Sequence, residues 1–109
     1  MARYIVTGRY TAEAMRGLLA NPSDREAATG ALVAAGGGKL LAFYLTTGAT
    51  DMLMVVETDD MEKMLPALLV AGASGTITGL TTMQAFTSDE FLAAQKRAGE
   101  IAKAYNSPA

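Results

Sequence analysis

The stretch LLAFYLTTGATDMLMVVETDD, residues 40–60, decides the fold because it predicts two neighbouring strands of an antiparallel sheet. Its segments 40–45 and 52–56 are apolar at almost every position, and a short polar turn joins them. Successive side chains of a strand point to opposite faces, so a strand with one face in water alternates apolar and polar residues. These segments do not alternate. Both faces of the sheet therefore need cover.

Two further strands are predicted on either side of this hairpin. Residues 3–10 interleave β-branched and aromatic residues with Arg and Gly, and residues 76–85 are rich in threonine, which favours strands. Between the first strand and the hairpin, Thr11 can cap a helix. Asn21-Pro22 interrupts this helix, because the residue before a proline avoids the α region.

Three helix starts follow from capping signals. Ser23 and Glu26 form an S-x-x-E capping box, which predicts a helix from Ser23 to about Ala35. Thr58 or Asp59 is expected to cap the helix after the hairpin, and Thr87 with Glu90 forms a second box before the last helix. The predicted buried stripes are Ala27, Ala28, Ala31, Leu32 and Ala35 in the first of these helices, and Met61, Met64, Leu65, Leu68, Leu69 and Gly72 in the second.

The predicted order, β-α-β-β-α-β-α, is that of an α+β ferredoxin-like fold with an antiparallel sheet, helices on one face and an additional C-terminal helix. The first and third strands are expected at the centre. Residues 1–109 form one domain in this interpretation, with a core at about 3–86 and the last helix at about 88–105. The second sheet face needs either that helix or another copy, so we expect a homo-oligomer, at least a dimer, that buries this open face.

Composition narrows the possible partners. The chain has nine basic and eleven acidic residues, a net charge of −2 and no basic stripe, which argues against a nucleic-acid partner. No apolar run reaches the roughly 20 residues of a membrane span, and the start MARYIVTGRY lacks the apolar region of a signal peptide. Cysteine is absent, which is consistent with the cytoplasmic localisation that we expect.

The chain also has no histidine. Without histidine and cysteine, thiolate nucleophiles, sulfur or imidazole metal ligands and the commonest general base near neutral pH are excluded. We therefore predict no metal site and no cofactor. Any catalysis would have to use Tyr, Arg, Lys, Asp, Glu, Ser, Thr or a borrowed cofactor.

Three blocks of the sequence resemble the GYD domain family: TAEAMRGLLANPSDREAA, AGGGKLLAFYLTTGATDMLMVVETDD and LTTMQAFTSDEF. The resemblance covers residues 3 to about 92 and implies a ferredoxin-like fold of the dimeric α+β-barrel type. In the hairpin turn, Gly48 and Asp51 match the Gly-Tyr-Asp signature of the family, whereas Thr50 stands where a tyrosine is expected. The family is largely uncharacterised, so the resemblance implies a fold and no reaction.

Five residues are candidates for a ligand site: Arg9, Tyr10, Tyr44, Gly48 and Asp51. Arg9 and Tyr10 could orient an anionic or phenolic ligand, since the guanidinium group offers a fork of donors. The alternative is that Arg9 reaches solvent at the strand end and Tyr10 is wedged between the core and its rim. Gly48 and Asp51 could equally serve only the turn, through a positive φ and bonds to nearby amides. Tyr44 could be a pocket residue, an interface residue or a cross-strand packing partner.

Two classes of function remain open. The first is a non-catalytic, homo-oligomeric module that binds a small ligand or a protein partner through the open sheet face. The second is a cofactor-independent enzyme of the dimeric α+β-barrel kind, which would act on a small aromatic or carbonyl compound. Its site would lie where the open sheet face meets the hairpin turn. Burial of Tyr, Arg or Asp there would have to shift pKa values enough for proton transfer.

Overall fold

A computed structural model, which describes residues 1–108, has the ferredoxin-like architecture that the sequence predicts. Its elements in chain order are β1 (Ala2–Tyr10), α1 (Ala12–Ala20), α2 (Arg25–Ala35), β2 (Lys39–Leu45), β3 (Met52–Thr58), α3 (Met61–Ala73), β4 (Ile77–Ala85) and α4 (Ser88–Ile101), followed by a 3₁₀ turn at Ala102–Ala104. None of the helices within residues 1–108 has the length and apolar character needed to cross a bilayer.

The four strands form one antiparallel sheet in the order β2-β3-β1-β4, so the predicted central position of the first and third strands is confirmed. The register places Val6 opposite Met54 and Ile5 opposite Val55. Along β3, every second residue is buried, although the sequence is apolar throughout most of the strand. One face of the sheet is thus the core face, and the other face remains open.

The core lies between the sheet and the helices α2 and α3. Its buried apolar residues are Val6, Val33, Met52, Met54, Val56, Met64 and Ala67. Gly38 lets β2 begin close to α3, since a Cβ at this position would lie 2.8 Å from Met64 Sδ. The glycines after α2 therefore do more than end the helix, because they also make room for the methionine that fills the core.

Two predicted helix caps are wrong. The N-cap of α2 is Asp24, not Ser23, because the Asp24 carboxylate accepts a hydrogen bond from the Ala27 N–H at 3.2 Å. Ser23 instead accepts one from Arg25 at 3.1 Å. The N-cap of α3 is Asp60, whose carboxylate accepts from Glu62 N–H at 2.9 Å. At α2, a carboxylate one residue further along the chain takes the place of the predicted serine, since charged acceptors bind amides more strongly. At α3, the helix begins later than predicted, and the Thr58 hydroxyl accepts from Asp60 N–H at 3.3 Å instead of capping the helix.

The buried faces of α2 and α3 also differ from the predicted stripes. Val33 is the buried residue of α2, and its alanines are exposed. Met64 and Ala67 are the buried residues of α3, whereas Leu65 and Leu69 lie outside. The predicted stripes are confirmed in part, since Met64 is buried and Leu32, Met61 and Leu68 pack against the core. On α2 the core side is turned from the alanines toward Val33, because the larger side chain fills more of the space beside the methionines of the core.

The predicted capping box of the last helix is confirmed. Thr87 Oγ1 accepts from Glu90 N–H at 3.1 Å, and Glu90 Oε1 accepts from Thr87 N–H at 2.8 Å. No residue of α4 is buried. The chain is 60 Å long, and its radius of gyration is 17.8 Å, compared with about 13 Å for a compact domain of this length. The helix α4 therefore projects from the body and does not cover the open face of its own sheet.

Candidate functional site

The turn between β2 and β3 is held by hydrogen bonds across its base. Thr46 N–H donates to the Asp51 carbonyl at 2.8 Å, and the Thr46 hydroxyl donates to the Thr50 carbonyl at 2.7 Å. At the tip, Gly48 has a φ of +96°, a conformation that side chains with a Cβ rarely adopt. The turn thus depends on glycine at position 48, and Thr50 contributes backbone and hydroxyl contacts to Thr46.

Two candidate side chains attach this turn to β1. Asp51 Oδ2 accepts from Tyr10 N–H at 2.9 Å, and Asp51 N–H donates to the Gly8 carbonyl at 2.9 Å. Arg9 Nη1 donates to the Ala49 carbonyl at 2.9 Å. The structure therefore brings Arg9, Gly48 and Asp51 together, and their polar groups bind the backbone of the turn and of the adjacent strand.

The two candidate tyrosines lie on opposite sides of the sheet. Tyr44 is paired with Leu53, which points away from the helices, and 62% of Tyr44 is exposed. Tyr10 packs against the buried core on the helix side. No shared pocket joins Tyr10, Arg9 and Tyr44, since strand neighbours such as Arg9 and Tyr10 face opposite ways.

The open sheet face is the surface formed by the outward residues of all four strands. We define it by Ile5, Thr7, Ala42, Tyr44, Leu53, Val55, Thr81 and Met83, which the strand register places in two adjacent rows. None of these eight residues is buried. The centre of the surface is apolar, and charged residues lie at one end, where Glu57 is paired with Lys39 on one side and Arg3 on the other.

A second feature is a cavity of about 110 Å³ between the sheet and the helices α2 and α3. Most of its lining is apolar, and it includes three methionines, Met52, Met54 and Met64. Methionine side chains adapt readily to a new neighbour because they are unbranched and polarizable. The polar lining residues are Tyr10, Arg25, Thr29 and Thr76.

Of the lining residues, Tyr10 is the only one among the sequence-based candidates. Sequence reasoning missed Arg25 and Thr29 because it predicts the alanines of α2 on the inner face. The spacing of four that relates Arg25, Thr29 and Val33 is the signal that identifies the inner face. Arg25 donates to Ser23, and within residues 1–108 no carboxylate forms an ion pair with it.

One ion pair links the charged end of the open sheet face to α4. Arg3 Nη1 lies 3.3 Å from Glu90 Oε1, the same oxygen that accepts from Thr87 N–H. The backbone N–H of Thr87, followed by the Thr87 side chain, lowers the pKa of the Glu90 carboxyl, and Arg3 adds to this effect. The first turn of α4 is thereby held at the rim of the open face.

Comparison with known families gives one clear match. The family model described as the GYD domain matches residues 4–94. No curated protein matches the chain.

Solved structures show the same fold. TTHA0845 from Thermus thermophilus is 20% identical, with a TM-score of 0.51 over 81% of this chain and 96% of that one. MtbAldR is 13% identical, with a TM-score of 0.52 over 80% of this chain and 52% of that one. A hypothetical protein of Pyrococcus horikoshii, PHS023, is 20% identical, with a TM-score of 0.47 over 81% of this chain and 93% of that one. At these identities the first two structures, with TM-scores above 0.5, support the fold alone.

Proposed function

This chain belongs to the GYD domain family, and we propose that it is a non-catalytic, homo-oligomeric binding module. In this proposal, two copies associate through their open sheet faces, and each copy binds a small ligand. The observation on which the proposal depends is the apolar centre of the open sheet face, which no helix of residues 1–108 covers.

Self-association follows from the cost of leaving this surface in water. Ile5, Leu53 and Val55 lie side by side at its centre, and Met83 and Tyr44 flank them at half exposure or more. Monomers rarely expose contiguous apolar patches larger than a few hundred Å². A second copy would supply the same apolar centre. A two-fold arrangement is the commonest way to pair identical surfaces.

Substitution of Leu53 tests this interface. Leu53→Asp places a charge at the centre of the open sheet face, and we expect it to convert the oligomer to a monomer in light scattering at micromolar concentration. Leu19→Asp is the matched control, because Leu19 is 85% exposed on α1. Circular dichroism checks that both variants fold, and Tyr44→Ser provides a milder change on the same face. A wild-type protein that is monomeric at these concentrations would refute the proposed interface.

The cavity favours a small, largely apolar ligand with one acceptor or anionic group. Its volume of about 110 Å³ is somewhat smaller than the roughly 150 Å³ of an engineered apolar cavity that binds benzene or xenon, so the ligand in this proposal is no larger than a single ring. Arg25, Thr29 and Tyr10 provide donors along its lining. The ligand site in this proposal is therefore on the helix side of the sheet, away from the surface that associates.

Methionine methyl groups report on this site directly. With ¹³C-methyl-labelled methionine, we expect benzoate to shift the signals of Met52, Met54 and Met64, because all three line the cavity. Met1, Met15 and Met83 are internal controls, since each is at least 42% exposed. Xenon should shift the same three signals, and Arg25→Gln should weaken benzoate binding while it leaves xenon binding unchanged. Shifts confined to the exposed methionines would contradict the assignment of the cavity.

The enzyme alternative has less support. Its candidate groups Arg9 and Asp51 bind backbone atoms of the turn and of β1, and Tyr10 and Tyr44 lie on opposite sides of the sheet. A general acid or base must reach a reacting atom together with its neighbours in one pocket. The hydrogen-bonding arrangement instead favours a structural role for Arg9 and Asp51.

A further inference from the structure

The helix α4 and the turn after it carry an apolar stripe on one side. Phe91, Ala94, Ala98, Ile101 and Tyr105 recur at alternating spacings of three and four. Within α4 this spacing places Phe91, Ala94, Ala98 and Ile101 on one face, and it is the spacing with which helices pack against a partner. Tyr105 follows the 3₁₀ turn, where the backbone is extended. Phe91, Ile101 and Tyr105 are 62%, 57% and 68% exposed, so no part of residues 1–108 covers the stripe.

The accessible surface area of the chain is larger than expected for a compact monomer of its mass. A folded monomer of 11.3 kDa exposes about 5,700 Å² by the usual scaling with mass, whereas this chain exposes 7458 Å². The excess, about 1,700 Å² per copy, is larger than the roughly 800 Å² that each partner buries in a standard interface. Counted for two copies, an excess of about 3,400 Å² falls in the range of permanent homodimers, whose interfaces cover about 2,000–5,000 Å² in total.

The position of α4 puts the stripe within reach of a second copy. The Arg3–Glu90 ion pair holds the first turn at the rim of the open sheet face, on the side that the proposed partner would occupy. From there, a helix of 14 residues extends about 21 Å. This length exceeds the width of a four-stranded sheet, which is about 14–19 Å.

From these observations we infer that α4 is an arm that packs its apolar stripe against the body of a second copy of this chain. The inference rests on the proposed association through the open sheet face, whose interface the arm extends. Each copy receives one arm and gives one, so the contact is reciprocal and closes as a dimer.

Truncation of the stripe tests the arm without disturbing the fold of the body. The double variant Ile101→Ala, Tyr105→Ala keeps good helix formers, and both side chains are exposed within their own chain. We expect the dimer dissociation constant, measured by sedimentation, to rise roughly tenfold or more through lost apolar burial. Leu19→Ala, a comparably exposed aliphatic residue on α1, should leave it unchanged.

A spin label gives a second readout of the same contact. The chain has no cysteine, so Ala98→Cys and Lys96→Cys can each carry a single nitroxide, the first on the stripe and the second on the opposite face. We expect the label at position 98 to be immobilised in the dimer and mobile after dilution, and the label at 96 to stay mobile. If the label at position 98 is equally mobile in the dimer and after dilution, or equally immobile in both, α4 does not pack against a second copy.

The two variants test the two proposed interfaces separately. If Leu53→Asp abolishes the dimer and the Ile101/Tyr105 double variant behaves as wild type, association through the open sheet face is supported, and the packing of α4 against a second copy is contradicted. If the double variant weakens the dimer and Leu53→Asp does not, the packing of α4 against a second copy is supported, and association through the open sheet face is contradicted. Weakening by both variants supports both interfaces.

Discussion

Asp51 and Tyr10 are 41 positions apart in sequence, and the Asp51 carboxylate accepts a hydrogen bond from the Tyr10 backbone N–H at 2.9 Å. This bond connects the end of the hairpin turn to the end of β1. The Asp51 backbone N–H binds the same strand through the Gly8 carbonyl. One residue of the turn thus uses both a backbone donor and a side-chain acceptor to align β1 with β3, which explains why an aspartate suits this position.

Asp51→Ala should destabilise the fold, because it leaves a partly buried backbone N–H without its acceptor. We expect a loss of about 1–3 kcal/mol in the free energy of unfolding. Asp51→Asn should cost less, since the amide oxygen can still accept the bond. Urea denaturation at a fixed protein concentration measures both, with the exposed Asp59→Ala as a control. Equal stability of Asp51→Ala and wild type would mean that water replaces the carboxylate without cost.

Gly38→Ala should be destabilising, and Gly17→Ala stabilising. At Gly38 a Cβ would lie 2.8 Å from Met64 Sδ and 3.1 Å from Val33 Cγ1, both in the buried core. Overpacking of this kind costs about 1–3 kcal/mol. At Gly17, inside α1, a Cβ meets nothing within 4 Å, so alanine should add about 0.5–1 kcal/mol through helix propensity. Thermal unfolding of the two variants should therefore shift in opposite directions.

Much of the fold could be predicted from the sequence because its signals are local. Capping residues, prolines and turn glycines mark where elements begin and end. The box of Thr87 and Glu90 and the turn at Gly48 are both observed. Helix rotation could not be predicted in the same way. Val33 rather than the alanines faces the sheet, because packing against Met64 and the strands decides which side of α2 is inside.

The candidate site could be predicted only where local turn chemistry decides it, as for Gly48 and Asp51 in the short turn between β2 and β3. The bonds of Arg9 and Asp51 between this turn and β1 depend on the pairing of β1 with β3, which joins residues 40 and 41 positions apart. The position of Tyr44 relative to Tyr10 depends on the pairing of three strands and on the register shift between Leu40 and Ala42. A shift of one residue moves a side chain to the other face, and sequence pattern alone does not reveal it.

Thr87→Ala should unravel the start of α4 and leave the body intact. The Thr87 hydroxyl accepts the Glu90 N–H, and loss of such a cap costs about 1 kcal/mol of helix stability. Because no residue of α4 is buried in its own chain, the cost should appear locally. Amide hydrogen exchange of residues 91–101 should accelerate in dilute, monomeric protein, while exchange in β1 and β3 stays unchanged. Thr87→Ser, which retains the hydroxyl, is the control.

The stability of α4 should depend on pH through Glu90. Its pKa is lowered from the ordinary value of 4.5, chiefly by the bond from the Thr87 backbone N–H, so the folded helix favours the carboxylate. A depressed pKa stabilises the folded state above the ordinary value, and this contribution is lost as pH falls through the folded pKa. Carbon chemical shifts of residues 91–101 should therefore report constant helicity from pH 7 to about 5 and a decline below about 4.5. Glu90→Gln can retain the capping contacts without a titrating group, so its helicity should decline less with acid. Identical acid responses of wild type and Glu90→Gln would show that other groups control the helix.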